Sequence, residues 1–255
     1  MSCMSDFDDS FQVPAFYSAY VGNFQSPIDI KCEEMVTRQF PPFKFSSAHL
    51  YDIMFTLKND GHGVKAVLPK AYTSQYQTDL SFTGGGLIGK FNFDNFHLHW
   101  GTNYRDGSEH TINGQSFAAE AHLVYKNLET QEIAVFALFF HIVHSVYEEN
   151  SEWKKYTHLG SSLTEGNAMN CTFNLSQLTQ IKSRNFVRYM GSLTTPPYTE
   201  GIIWTVFLDA IPILDTNLNL LRYNVMRKTD REVQPINGRI IYVNYDNEPR
   251  SYMND

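Results

Sequence analysis

Two stretches decide how this chain is read: Phe96-His97-Leu98-His99-Trp100-Gly101 and Ala118-Ala119-Glu120-Ala121-His122-Leu123-Val124. On a strand successive side chains point to opposite faces, so His97 and His99 share one face while Phe96, Leu98 and Trp100 share the other. Between the two stretches lies Asn113-Gly114, the strongest short hairpin signal, and the flanking segments are therefore expected to pair antiparallel. Such pairing can bring His122 within reach of the His-x-His pair from a neighbouring strand. A catalytic zinc takes three protein ligands and leaves a fourth position to water, and three histidines form one of the known sets. Ordinary half-buried strand histidines are the other reading, and a His-x-His pair by itself does not separate the two. Glu120 tips the balance: it lies two residues before His122 on the same strand face, and a ligating histidine usually donates its second ring nitrogen to a carboxylate or carbonyl.

The rest of the composition fits a folded β-rich protein. The 255 residues are 42% hydrophobic, 15% aromatic and 18% charged, enough apolar material for a sizeable core in one domain. The formal charge is -7 with no dense lysine or arginine run, so the electrostatic footprint of nucleic-acid binding is missing. Cys3, Cys32 and Cys171 are an odd, irregular set that fits neither a disulfide framework nor a thiolate metal site, and they are expected to be free thiols in a reducing compartment. Residues 1–10 are polar and acidic, unlike a signal peptide, and no apolar run approaches membrane-spanning length. Cytoplasmic residence is the expectation, or secretion if an upstream signal has been removed. The triplets Asn170-Cys171-Thr172 and Asn174-Leu175-Ser176 would matter as glycosylation acceptors only in the secreted case.

No internal repeat or linker divides the chain. Residues 1–22 read as an N-terminal arm, and residues 23–255 as the domain proper. Strands are expected at 28–30, 43–45, 53–58, 64–68, 80–83, 90–100 and 239–243, and a central strand buried on both faces at 132–145. Helices are expected at 146–156, 175–181 and 214–222, with loop over 159–171. Many short strands with few helices argue for a mainly β fold rather than alternating βαβ units.

Across residues 23–243 the chain resembles the α-class carbonic anhydrases. The resemblance is carried by Gln25-Ser26-Pro27-Ile28-Asp29-Ile30, Asn59-Asp60-Gly61-His62, the two histidine stretches, Gly107-Ser108-Glu109-His110-Thr111, and Gly191-Ser192-Leu193-Thr194-Thr195-Pro196-Pro197 with Glu200 and Trp204. It implies one domain built on a large, twisted, mostly antiparallel sheet of about ten strands with short peripheral helices, and a monomer. It implies zinc held by His97, His99 and His122, with Glu120 behind His122 and Asn95 behind His97. It further implies that the Thr194 hydroxyl donates to Glu109, that Val124, Val135, Leu193, Ile202 and Trp204 form an apolar wall for carbon dioxide, and that Thr195 lines the wetter side. His62 matches the proton shuttle, and imidazole is the side chain whose ordinary pKa suits that task. His110 is expected to be a structural histidine, and His49, His141, His144 and His158 structural or surface.

The sequence also departs from the family's pattern. Residues 1–22 do not align with its aromatic N-terminal region, Asn95 stands where glutamine is common, and Lys65 stands where a smaller polar residue is common. Tyr20 and Tyr198 occupy the positions of a disulfide found in secreted members, which supports a reducing compartment. The function implied is zinc-dependent interconversion of carbon dioxide and bicarbonate, inhibited by aromatic sulfonamides. The alternatives are a catalytically weak or silent carbonic anhydrase-like binding module, and a zinc hydrolase acting on esters.

Overall fold

The computed structural model describes residues 22–69, 79–181 and 185–245. The expected arm, residues 1–22, lies outside them except for Gly22. The strands are β1 (Asp29–Ile30), β2 (Val36–Thr37), β3 (Phe43–Phe45), β4 (Asp52–Asn59), β5 (Val64–Val67), β6 (Ser81–Gly84), β7 (Leu87–Trp100), β8 (Thr111–Ile112), β9 (Ala119–Asn127), β10 (Ile133–Val143), β11 (Ala168–Asn174), β12 (Phe186–Ser192), β13 (Glu200–Leu214) and β14 (Tyr242–Asn244). The α-helices are α1 (Ser151–Ser161), α2 (Leu175–Thr179) and α3 (Asp215–Asn224). None is long and apolar enough to cross a membrane.

The main sheet has twelve strands rather than about ten, in the order β11-β4-β5-β7-β9-β10-β13-β12-β14-β2, with β3 and β6 joined at β7. It is antiparallel except where β10 meets β13 and β14 meets β2. Parallel neighbours need a long crossover; α1, β11, α2 and β12 occupy the one between β10 and β13. A separate parallel pair joins β1 to β8.

Two segments, one helix start and one strand, differ from expectation for local reasons. Helix α1 begins at Ser151 and not at Val146, because the Asn150 side chain accepts the backbone N–H groups of Glu152 and Trp153 and caps the helix there. Glu149, just outside, is drawn elsewhere: its carboxylate accepts from Asn217 Nδ2 and from the Leu214 N–H. The segment expected as loop over 159–171 ends instead in β11, which pairs with β4 from Ala168 onward. Its alternation of exposed and half-buried residues is too weak to mark a strand in sequence; the ladder to β4 supplies it.

Strand β7 separates two apolar masses. Phe96, Leu98 and Trp100, essentially inaccessible, face α1, where Phe96 meets the rings of Trp153 and Tyr156 at centroid distances of 5.9 Å. The opposite face carries the histidines and borders a second cluster that includes Val135, Ile202, Trp204 and Val206. The site is thus anchored on rigid ladders with a packed core behind it.

Candidate metal centre

Strands β7 and β9 run antiparallel with His97 opposite His122 and His99 opposite Glu120. Directly opposed residues project to the same face, so this register places three imidazoles and one carboxylate together. The hairpin expected at Asn113-Gly114 contributes only the local Ile112–Gln115 bridge; the pairing that matters is closed by the longer connection between β7 and β9. One potential ligand atom from each of His97, His99 and His122 lies within 4.8 Å of the others.

The second nitrogen of each ring is already engaged. His97 Nδ1 lies 2.8 Å from Asn95 Oδ1, so the shorter amide reaches as far as the ring requires. His99 Nδ1 donates to the Thr229 carbonyl at 3.0 Å, which leaves Nε2, buried and without a hydrogen-bond partner. His122 Nε2 donates to Glu120 Oε1 at 2.7 Å and leaves Nδ1. A buried polar nitrogen without a partner is costly unless something fills the gap. Three convergent nitrogens on borderline-soft neutral donors suit zinc, and these residues fit that ion.

Electrostatics keep the His97 and His122 rings in the ligating form. Burial, together with the neighbouring histidines and Lys65, holds His97 well below its ordinary value, and burial also lowers His122 despite its bond to Glu120. Burial by itself would raise the Glu120 carboxyl. His110 and the hydrogen bonds from His110 and His122 outweigh it and hold the group far below the usual carboxylate range.

His110 is buried, donates Nδ1–H to Glu120 Oε1 at 2.7 Å, and has Tyr189 Oη at 2.6 Å from Nε2. With both nitrogens engaged it positions Glu120. His49 is buried against Phe45 and Tyr125, whereas His141, His144 and His158 are exposed.

Glu109 Oε1 accepts the Arg231 N–H at 2.9 Å and lies 3.4 Å from His99 Nδ1. Its other oxygen, Oε2, is buried and has no hydrogen-bond partner, so the expected Thr194-to-Glu109 bond is not formed at that atom. Thr194 itself is buried, and Thr195 beside it is exposed. Their loop is braced by the Gln25–Ile28 turn: Ser26 N–H donates to Ser192 Oγ at 2.9 Å and Ser192 N–H to Ser26 Oγ at 3.0 Å. A side chain at Gly191 would collide with Ser26 Oγ, so glycine permits that approach.

The residues expected to form the apolar wall come together. Val124, two residues beyond His122, is opposite Val135, and Val135 is opposite Trp204. Ile202 is buried in the same cluster, and Leu193 is half-buried against it. The Trp204 ring lies 4.8 Å from that of His122. His62 is exposed, with its N–H bonded to Asp60 Oδ1.

The profile of eukaryotic-type carbonic anhydrases matches residues 12–245. The chain belongs to that family. It is 31% identical over 236 residues to putative carbonic anhydrase 3 of Caenorhabditis elegans, covering 92% of this chain and 88% of that protein. It is 30% identical to human carbonic anhydrase 12 over 256 residues, 90% of this chain and 69% of that protein. Human carbonic anhydrase 7 is 28% identical over 249 residues, with 90% and 91% covered.

Family membership leaves unexplained several supports that sequence reading missed. Thr229 holds His99 through its backbone carbonyl and Trp100 through its hydroxyl. Arg231 holds Glu109 through its backbone N–H, while its guanidinium bonds Gln25 and Ser26. Backbone carbonyl and N–H groups carry no residue-type signal, and these lie more than 100 positions from their partners. Tyr189 lies on β12, a strand that the sequence reading did not mark.

Proposed function

We propose that this carbonic anhydrase family member is a zinc enzyme that interconverts carbon dioxide and bicarbonate. The observation that carries the proposal is the convergence of three imidazoles whose remaining nitrogens are all engaged, with His99 Nε2 left buried and unpartnered. Zinc held there would lower the pKa of water into the neutral range, a shift for which carbonic anhydrase is the type example, and so supply the nucleophile that a weak electrophile needs.

The remaining steps belong to the chain's own side chains. Asn95, Glu120 and the Thr229 carbonyl fix the tautomer and aim of each histidine. Since Glu109 Oε1 is committed to Arg231, Oε2 is the acceptor available to the Thr194 hydroxyl. A threonine that donates to Glu109 offers only its lone pairs to the reacting oxygen and thereby orients it. Val124, Val135, Leu193, Ile202 and Trp204 present an apolar wall to an uncharged substrate. His62, exposed on the β4–β5 turn, passes the released proton to solvent, and Thr195 faces the wet side. Aromatic sulfonamide inhibition, a monomeric state and cytoplasmic residence belong to the same proposal, the last supported by the odd cysteine count.

Stopped-flow hydration of carbon dioxide by the zinc-loaded protein tests the proposal. Rapid turnover blocked by an aromatic sulfonamide is the expected result. A protein that holds zinc but adds nothing to the buffer rate is a binding module.

A further inference from the structure

Strand β5 carries a cation to the metal face. Lys65 is directly opposite His97 in the β5–β7 ladder, and Val67 is opposite Asn95, the residue that holds His97. Directly opposed side chains share a face at close range. The buried residues Val64 and Ala66 turn the other way. Among the described residues no other lysine or arginine is in register with a histidine of the triad. Arg231 is already bonded to Gln25 and Ser26, and its guanidinium lies 3.8 Å from the Tyr198 ring centroid. Of the two acids behind the histidines, Glu120 is occupied on both oxygens by inward contacts, and Glu109 Oε1 is bonded to the Arg231 N–H.

The charge of Lys65 is only loosely answered. Its Nζ is 3.7 Å from Asp60 Oδ2, and the two side chains are 35% and 33% exposed, so the pair is long and solvated. Asp60 is divided between this contact and the His62 N–H, which bonds to its other oxygen. The opposite wall, from Val124 to Trp204, is apolar and adds no competing charge.

We infer that Lys65 makes the metal face an anion-attracting site, strengthening equilibrium binding of small monovalent anions, bicarbonate among them, beside His97. The inference rests on the zinc reading above and adds to it a residue that discriminates by charge. Carbon dioxide, being neutral, gains nothing from a fixed cation, whereas bicarbonate and inhibitory anions do. Lys65 is a specificity residue in this role and takes no part in forming or breaking a bond.

The test is calorimetric titration of the zinc-loaded protein with thiocyanate, in wild type, Lys65→Gln, Lys65→Arg and Asp60→Asn. At about 10 mM ionic strength, Lys65→Gln is expected to bind thiocyanate about fivefold more weakly, the upper range for one partly exposed charge. Lys65→Arg should retain wild-type affinity, and Asp60→Asn should bind more tightly. The spread among variants should shrink near physiological salt, where screening acts over about 8 Å. A zinc-loaded Lys65→Gln protein with wild-type affinity overturns the inference alone. If Lys65→Gln does not fold, an Asp60→Asn protein that binds no more tightly than wild type does the same. A wild-type chain that takes up no zinc overturns the metal reading, and this inference with it.

Discussion

Oε1 of Glu120 stands 2.7 Å from Nε2 of His122 and, at the same distance, from Nδ1 of His110. One carboxylate oxygen therefore aligns a candidate metal ligand against a second, structural histidine, while Oε2 accepts the His110 backbone N–H. Glu120→Gln keeps the volume but puts an amide N–H into a site built for acceptors. Zinc affinity is expected to fall by about 10- to 100-fold, measured by competition with a chelator. Unchanged affinity would show that the orientation of His122 is set elsewhere.

His122→Ala leaves two imidazoles, an incomplete set. Zinc content should drop from about one per chain to none, with hydration activity lost in parallel. Chelation of the wild-type metal should leave the sheet intact, because β7 and β9 are held by ladders and by buried residues such as Phe96, Leu98 and Leu123. Far-ultraviolet circular dichroism should be preserved while Tm falls, as for any ligand that binds the native state alone. Collapse of the sheet on chelation would contradict this.

Thr194→Ala should retain zinc and lose hydration rate by about 100-fold, the scale of removing one oriented hydrogen-bonding group. Glu109→Gln should act in the same direction, since its open Oε2 is the acceptor assigned to Thr194. Equal rates for wild type and Thr194→Ala would remove threonine from the mechanism.

His62→Ala should slow turnover by at least about tenfold in weak buffer, and added imidazole should restore it. If neither condition distinguishes the variant from wild type, the proton leaves by another path.

His49 supplies a pH signature of stability. Burial pushes its pKa from 6.5 down to about 4, partly offset by its bond to the Ser46 carbonyl and by Asp79. The native ring stays neutral while the unfolded ring takes up a proton, so the stabilisation is full above pH 6.5 and is lost as pH falls towards 4. The loss attributable to this group is up to about 3 kcal/mol. Denaturant unfolding of wild type and His49→Gln over pH 4–7 should show a shallower acid slope in the variant; parallel slopes would refute the assignment.

By itself the sequence determined the mainly β class, because alternation in residues 96–100 and the apolar run in β10 survive in any environment. It also pointed to His97, His99, His122 and Glu120, since a period of two puts i and i+2 on one face before any partner strand is known. The tertiary structure decided the pairing of His97 with His122, the late start of α1 at the Asn150 cap, and the recruitment of β11 by β4. It alone brought the Thr229 carbonyl to His99 and the Arg231 N–H to Glu109. Those contacts are made by backbone atoms common to every residue, so their identity lies in where the chain goes and not in what it is made of. Lys65 belongs to both levels: its type was visible as a departure, but its place beside His97 is a matter of strand register.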